Sequence, residues 1–172
     1  MSEPTQTVAA GAGTAHVATL AGKYMLFQLA DEAYALEILT VREIIGLQPI
    51  NRIPRAPEFI RGIINLRGKV IPVLDLRERF GMASCAATDQ SVIIVVQCPG
   101  GGRDHTIGLL VDQVLEVQSI EASQIEPPPS LGSAGADSDF IVGVGKAHER
   151  VIFLLDLAKV VGDAAAAPLA VA

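Results

Sequence analysis

The sequence predicts an all-β fold built from two related halves, on three observations. The central part of the chain is dense in Val, Ile and Leu, in short runs bounded by turn residues, which is the pattern of a succession of strands. The stretch "FIRGIINLRGKVIPVLDLRERFG" (59–81) returns 81 residues later as "FIVGVGKAHERVIFLLDLAKVVG" (140–162), with nine of 23 positions identical. The repeat also continues upstream with a changing offset. "YALEILTVREI" from position 34 matches "IGLLVDQVLEV" from position 107 at offset 73, through Leu36/Leu109, Val41/Val114 and Glu43/Glu116. "FQL" from 27 matches "VQC" from 96 at offset 69. The offset grows only across "CPGGGRD" and "EPPPSLGSAGADSD", stretches rich in Gly, Pro and Ser where added loop length costs little. A duplication whose slips coincide with its turns is internally consistent.

The elements follow in order. Residues 1–22 and 163–172 are rich in small residues and carry no sustained periodicity, so they are expected to be flexible tails. Between them lies one region, 23–162, with copies at approximately 24–82 and 90–162. Expected strands in the first copy are 24–29, 34–38, 42–47, 62–66 and 70–74. Those in the second are 91–98, 105–111, 115–119, 140–144 and 151–155. Each copy ends in a strand entering a short helix, with Asp75 and Asp156 placed as N-caps that accept the free backbone N–H groups of the first turn. Glu78 stands where a capping box would have it, and Gly81 and Gly162 stand where the helices should stop. Pro72 lacks an N–H and is expected at a sheet edge or a bulge. At 172 residues, two halves of about 60 residues would each be marginal alone, so they are expected to pack on each other.

Composition narrows the function. Half the residues are hydrophobic and mean hydropathy is +0.42. Yet the longest apolar runs, such as 92–96 and 151–155, are five residues, against about 20 for a membrane-spanning helix. Glu3 stands where a secretory signal would be basic, and a cytoplasmic location is expected. Cys85 and Cys98 form neither a disulfide framework nor a Cys-x-x-Cys pair. Net charge is −6, but 42–80 carries eight Lys/Arg against four Asp/Glu. That local excess suits a polar partner surface on the first half, or simply a solvated face.

The paired aspartates resemble a carboxylate dyad only superficially, because each stands as Leu-Asp-Leu before a helix rather than on an exposed Gly-flanked turn. His16, His105 and His148 have no metal-ligand spacing, and no Ser or Cys lies in a nucleophile elbow. "CPGGGRD" lacks the Gly-Lys-Ser/Thr ending of a phosphate loop and reads as a hairpin. No catalytic residue, metal site or cofactor is expected. The feature left over is "NLRGKV", where Arg67 stands beside Gly68 at a turn between apolar runs. It is either a solvated turn residue or a guanidinium fork held on a rigid β edge for a partner's carboxylates or carbonyls. The second copy keeps the frame without Arg-Gly, so the frame does not need the arginine in order to fold.

Across "YMLFQLADEAYALEILTVREI" (24–44), "INRIPRAPEFIRGIINLRGKVIPVLDLRERFG" (50–81), "IGLLVDQVLEV" (107–117) and the "FIVGVG…VIFLLDLAKVV" ending (140–161), the chain resembles the CheW family of bacterial chemotaxis adaptors. The resemblance implies two packed five-stranded SH3-like β-barrels and no enzymatic activity. It implies two partners: the cytoplasmic hairpin tip of methyl-accepting chemoreceptors, and the regulatory, itself CheW-like, domain of the histidine kinase CheA, with barrel-to-barrel contacts building arrays. The membrane would be reached only through the receptors. Carried over by position, the receptor-facing residues are Val41, Glu43 and Arg67, with Asn65, Gly68 and Gly62 supporting the site. Glu43 and Arg67 are expected to pair across the first barrel. The second copy keeps Glu116 but has His148 in place of Arg67. The resemblance leaves the kinase-facing residues unassigned. The sequence shows no receiver domain, so unless it is a fragment an adaptor is expected rather than the fused adaptor-receiver CheV, and the expected tails at both ends favour an independent adaptor over a segment of a kinase. The alternative reading is a small β-barrel that binds nucleic acid or serves as a general protein-interaction module.

Overall fold

The computed structural model describes residues 20–82, 87–100, 103–127, 140–147 and 149–161, with the backbone alone at 99, 100 and 103–105. The expectations for His16, Cys85, His148, Gly162 and most of both tails lie outside the described residues. In chain order the elements are β1 (Gly22–Leu29), β2 (Glu32–Glu37), a 3₁₀ turn (Ile38–Thr40), β3 (Val41–Gly46), β4 (Ile60–Leu66), β5 (Lys69–Asp75) and α1 (Leu76–Arg79). The second series is β6 (Val92–Gly100), β7 (Arg103–Val111), β8 (Gln113–Ile120), a 3₁₀ turn (Ala122–Gln124), β9 (Ile125–Glu126), β10 (Ile141–Ala147), β11 (Arg150–Leu155) and α2 (Leu157–Val161). All ten expected strands form. The two-residue β9 is additional, and its counterpart in the first half is a single bridge between Asn51 and Ile63.

The strands make two sheets, ordered β8-β1-β2-β11-β10-β9 and β3-β6-β7-β5-β4. Neither sheet follows the sequence copies. The first two strands of each copy join the sheet completed by the other, through parallel pairings of β5 with β7 and of β11 with β2. Exchange of this kind ties the halves together by backbone hydrogen bonds, so neither sequence copy is a complete sheet.

Three apolar cores result, and the two faces of each strand supply different ones. On β1, Tyr24 and Leu26 face the core enclosed by the six-stranded sheet, while Met25, Phe27 and Leu29 face a central core between the sheets. On β6, Ile93 and Val95 face the core of the five-stranded sheet, and Ile94, Val96 and Cys98 face the centre. These strands therefore read as continuous apolar runs because both faces are buried. Six of the seven aromatic residues line the centre. Phe27 stacks on Tyr34, Tyr34 meets Phe80 and Phe153, and Phe80 meets Phe140, at centroid distances of 5.3–6.0 Å. Arg79 then bridges Phe140 to Phe59.

Local chemistry explains the ends of the elements. Asp75, itself buried, accepts from the backbone N–H of Arg77 at 3.0 Å, and Asp156 accepts from Ala158 at 3.0 Å and Lys159 at 3.4 Å. Both are N-caps, as expected. α1 stops at Gly81, whose φ of 77° suits glycine; Gly81 N–H donates to Glu78 O and Met82 N–H to Arg77 O, the paired bonds of a Schellman motif. Pro72 departs from expectation, since it lies on β5, an interior strand, and not at an edge or bulge. Its partner Ile63 turns both backbone groups outward to Asn51, and pairing of β5 with β7 begins only at Val73, so no ladder bond requires a Pro72 N–H.

Candidate functional site

β4 and β5 form a hairpin that pairs from Ile60–Leu74 to Leu66–Lys69, leaving Arg67 and Gly68 as its two-residue tip. Both tip residues have positive φ, 53° and 86°, the backbone of a type I′ turn whose twist matches that of the strands. Glycine takes that conformation freely, whereas arginine in it costs roughly 1 kcal/mol. The side chain of Asn65 accepts from Gly68 N–H at 2.9 Å and pins the turn. Gly62, in the same hairpin, is required for a different reason. A Cβ there would lie 2.1 Å from the carbonyl oxygen of Asn51, and its φ is 149°. The glycine lets the Asn51 bridge close against β4.

From this tip the Arg67 guanidinium reaches Glu43 as a two-pronged pair, Nη1 to Oε2 and Nη2 to Oε1, each at 2.7 Å. Glu43 lies on β3 and Arg67 joins β4 to β5, so the pair connects the two opposite edges of the five-stranded sheet. The bidentate geometry fixes the plane of the fork. The hydrogen bonds to Glu43 also push the guanidinium pKa above its ordinary value. Arg67 nonetheless remains 73% exposed, so one edge of a fixed cation faces solvent.

The structure thus brings Glu43, Arg67, Asn65 and Gly68 together, but not Val41. A bulge between Val41 and Glu43 pairs Val41 with Val96 and Glu43 with Val95. It places these two residues, two apart in sequence, on opposite faces. Val41 is half-buried against the central core, while Glu43 turns to the arginine. Nearby apolar groups stay open to solvent, including Ile44 on β3 and Val70 on β5.

Sequence reasoning missed a second set of contacts, made by α1. Arg77 donates through Nε to Asp112 Oδ1 at 2.8 Å and through Nη2 to Oδ2. Asp112 also accepts from Ala30 N–H at 2.8 Å. These hydrogen bonds, that from Arg77 first, hold the Asp112 carboxyl below the usual carboxylate range. Arg79 donates to Val160 O at 2.7 Å and to Lys159 O at 3.4 Å, with its guanidinium over Phe59 and Phe140. The available signal was the difference between "LRER" in the first copy and "LAKV" in the second.

Comparison with known proteins gives one answer. The family described as "CheW-like domain" matches residues 23–165. "Chemotaxis protein CheW" of Klebsiella aerogenes is 35% identical over 157 residues, covering 88% of this chain and 92% of that protein. Its namesake in Rhizobium meliloti is 34% identical, covering 84% and 90%. The crystal structure of the scaffolding protein TtCheW from Thermoanaerobacter tengcongensis superposes with a TM-score of 0.71 at 41% identity, covering 80% of this chain and 90% of that one. With the family matched over 23–165 and a TM-score of 0.71 to a solved member, the chain belongs to the CheW-like domain family of chemotaxis scaffolding proteins, which couple signalling components and are not enzymes.

Proposed function

We propose that this scaffold joins chemoreceptor cytoplasmic tips to the regulatory domain of the histidine kinase CheA, and that it reads the receptor through Arg67 held by Glu43. The observation that carries the reading is the fixed but exposed guanidinium at the tip of the β4–β5 hairpin. An exposed ion pair contributes little to stability, so its use lies in orientation: the fork meets a partner's carboxylate or carbonyl without first being ordered. Val41, on the other face of β3, enters this reading as a receptor-facing residue by its family position alone, while Asn65, Gly68 and Gly62 support the hairpin through its turn and the Asn51 bridge. The protein would act in the cytoplasm at receptor clusters, reaching the membrane only through receptors. Among the described residues no helix is long and apolar enough to cross a membrane.

Binding to single-stranded nucleic acid would need aromatic platforms for the bases. Here five of the seven aromatics are buried and Phe59 and Phe153 are half-buried, so no observation favours that alternative.

The test is co-sedimentation with receptor-containing membranes and the kinase, comparing the wild-type protein with Arg67→Glu and checking both folds by circular dichroism. The wild type is expected to sediment with both partners, and the folded variant to lose the receptor. A wild type that binds neither partner overturns the bridging role. A variant that binds like wild type reduces Arg67 to a solvated turn residue.

A further inference from the structure

The two equivalent hairpins, β4–β5 and β10–β11, are linked at their bases through Arg79. Phe59 O accepts from Asp75 N–H at 2.7 Å and closes the base of the first; Phe140 O accepts from Asp156 N–H at 2.8 Å and closes the base of the second. Arg79 lies between them. Its guanidinium carbon is 4.5 Å from the Phe59 ring centroid and 4.8 Å from that of Phe140, and its N–H groups hold the last carbonyls of α2. The residue equivalent to Arg79 in the second copy is Val160, a buried apolar side chain whose carbonyl Arg79 holds. The junction is therefore one-sided: a single planar cation, stacked on one ring from each hairpin and bonded to one helix end.

We propose that Arg79 is a positioning residue that couples the two hairpins, so that occupancy of the Arg67 tip is transmitted to the base of β10–β11 and to α2. This rests on the receptor reading of Arg67 for the identity of the first signal. The path is short and made of rigid parts. The strand that leaves the tip, β5, runs directly into the helix that carries Arg79, and the strand that enters the tip, β4, starts at the ring on which Arg79 stacks. A stacked guanidinium bonded at its edge has little freedom to absorb a shift of one base without moving the other. A coupling of this kind makes receptor state felt at a surface the receptor does not touch, which is what a scaffold that controls a kinase requires.

The test uses the full chain as wild type, Arg79→Met and Arg79→Lys, each checked by thermal melting. Arg79→Met keeps an unbranched apolar side chain about as long as the arginine's aliphatic stem, without the charge or the guanidinium; Arg79→Lys keeps the charge without the fork. On binding receptor-containing membranes, the wild type should show slower amide exchange in β10–β11 and α2, and Arg79→Met should not. Arg79→Met should bind receptor membranes and kinase separately within about threefold of wild type, while receptor-dependent control of phosphorylation falls by roughly tenfold, a typical size for coupling between sites. Arg79→Lys should fall between. A folded Arg79→Met with undiminished control overturns the proposal, as does a wild type whose β10–β11 exchange is unchanged on receptor binding. A partner-free arm separates the two readings. Glu43→Gln, which loosens the Arg67 tip, should speed exchange in α2 of the wild-type background and leave Arg79→Met unmoved. If that holds while wild type ignores receptor membranes, the receptor reading fails and the coupling stands; if Glu43→Gln leaves α2 unchanged, the coupling fails.

Discussion

The β4–β5 and β10–β11 hairpins are the same object at the base and different objects at the tip. Each starts after a phenylalanine whose carbonyl is bonded by an aspartate N–H, and each has a register shift at the same place, Ile60/Gly62 and Ile141/Gly143. Each is an antiparallel pair and passes into a helix capped by that aspartate. At the tips the likeness ends. The first has Arg67 and Gly68, pinned by Asn65 and paired with Glu43. The second has Glu149 in the place of Gly68, with Lys146 in the place of Asn65 and ion-paired to Glu126. What the fold needs lies at the base and is kept in both copies. What a partner could read lies at the tip, where the copies differ.

The comparison breaks hardest at the glycine of Phe-Ile-x-Gly. A Cβ at Gly62 would meet the Asn51 backbone at 2.1 Å, whereas at Gly143 its nearest neighbour is a side-chain methyl of Leu20 at 3.0 Å. Backbone cannot yield as a leucine rotamer can. Gly62→Ala is therefore expected to cost about 3 kcal/mol or more and Gly143→Ala about 1 kcal/mol, read from urea unfolding midpoints. Equal costs would mean that the two bridges close equally tightly.

Next in size is the ion pair between α1 and the β7–β8 turn, which has no equivalent on α2 because Ala158 stands where Arg77 does. Asp112→Asn should lower stability by about 1–2 kcal/mol at neutral pH, since a partly buried charged hydrogen-bond partner is lost. The pH dependence has a definite sign. The folded pKa of Asp112 lies below its unfolded value, so its contribution is present above the unfolded pKa of about 3.9 and disappears as pH falls through the folded value. Acid titration of stability should be shallower in Asp112→Asn than in wild type below about pH 4. Parallel curves would show that the pair contributes nothing to the acid transition.

Much of this was legible in the sequence, and the misses share a cause. Ten strands, two N-caps and the Glu43–Arg67 pair follow from composition, local spacing or family resemblance. The exchange of strands between copies does not, because pairing β5 with β7 is a choice among distant segments that all look apolar on both faces. The bulge at Val41 was equally hidden; strict alternation would put Val41 and Glu43 on one face, and one extra residue separates them. Pro72 misled because its missing N–H implies an edge only if a ladder bond is wanted there, and that depends on where β7 begins to pair. Arg79 was visible as a residue, but its partners, 20 and 61 positions away as Phe59 and Phe140, were not.

A smaller effect compares the tips directly. Glu149 has a φ of 62° at the position where the first copy has Gly68 at 86°. The second tip therefore holds a non-glycine residue in the left-handed region, at a cost of roughly 1 kcal/mol. Glu149→Gly should relieve that and stabilise by about 0.5–1 kcal/mol, partly offset by the larger entropy of the unfolded glycine chain. Gly68→Ala has open space for its Cβ, yet should destabilise by a similar amount through φ alone. Opposite signs at equivalent positions, measured as shifts in the thermal midpoint, would sharpen the equivalence; the same sign would break it.

The smallest stability effect belongs to the residues of greatest functional interest. Arg67 is mostly exposed, and although two prongs at 2.7 Å fix its direction, water screens the charges and solvates the fork when Glu43 is removed. Glu43→Gln should leave the unfolding midpoint within experimental error at physiological salt. It should still weaken receptor co-sedimentation, though less than Arg67→Glu, because the cation remains and only its orientation is lost. A midpoint drop comparable to that of Asp112→Asn would make the Glu43–Arg67 pair a brace between the edges of the five-stranded sheet. That would undo the contrast between a folding base and a reading tip, since the first tip would then be needed by the fold as much as the base is.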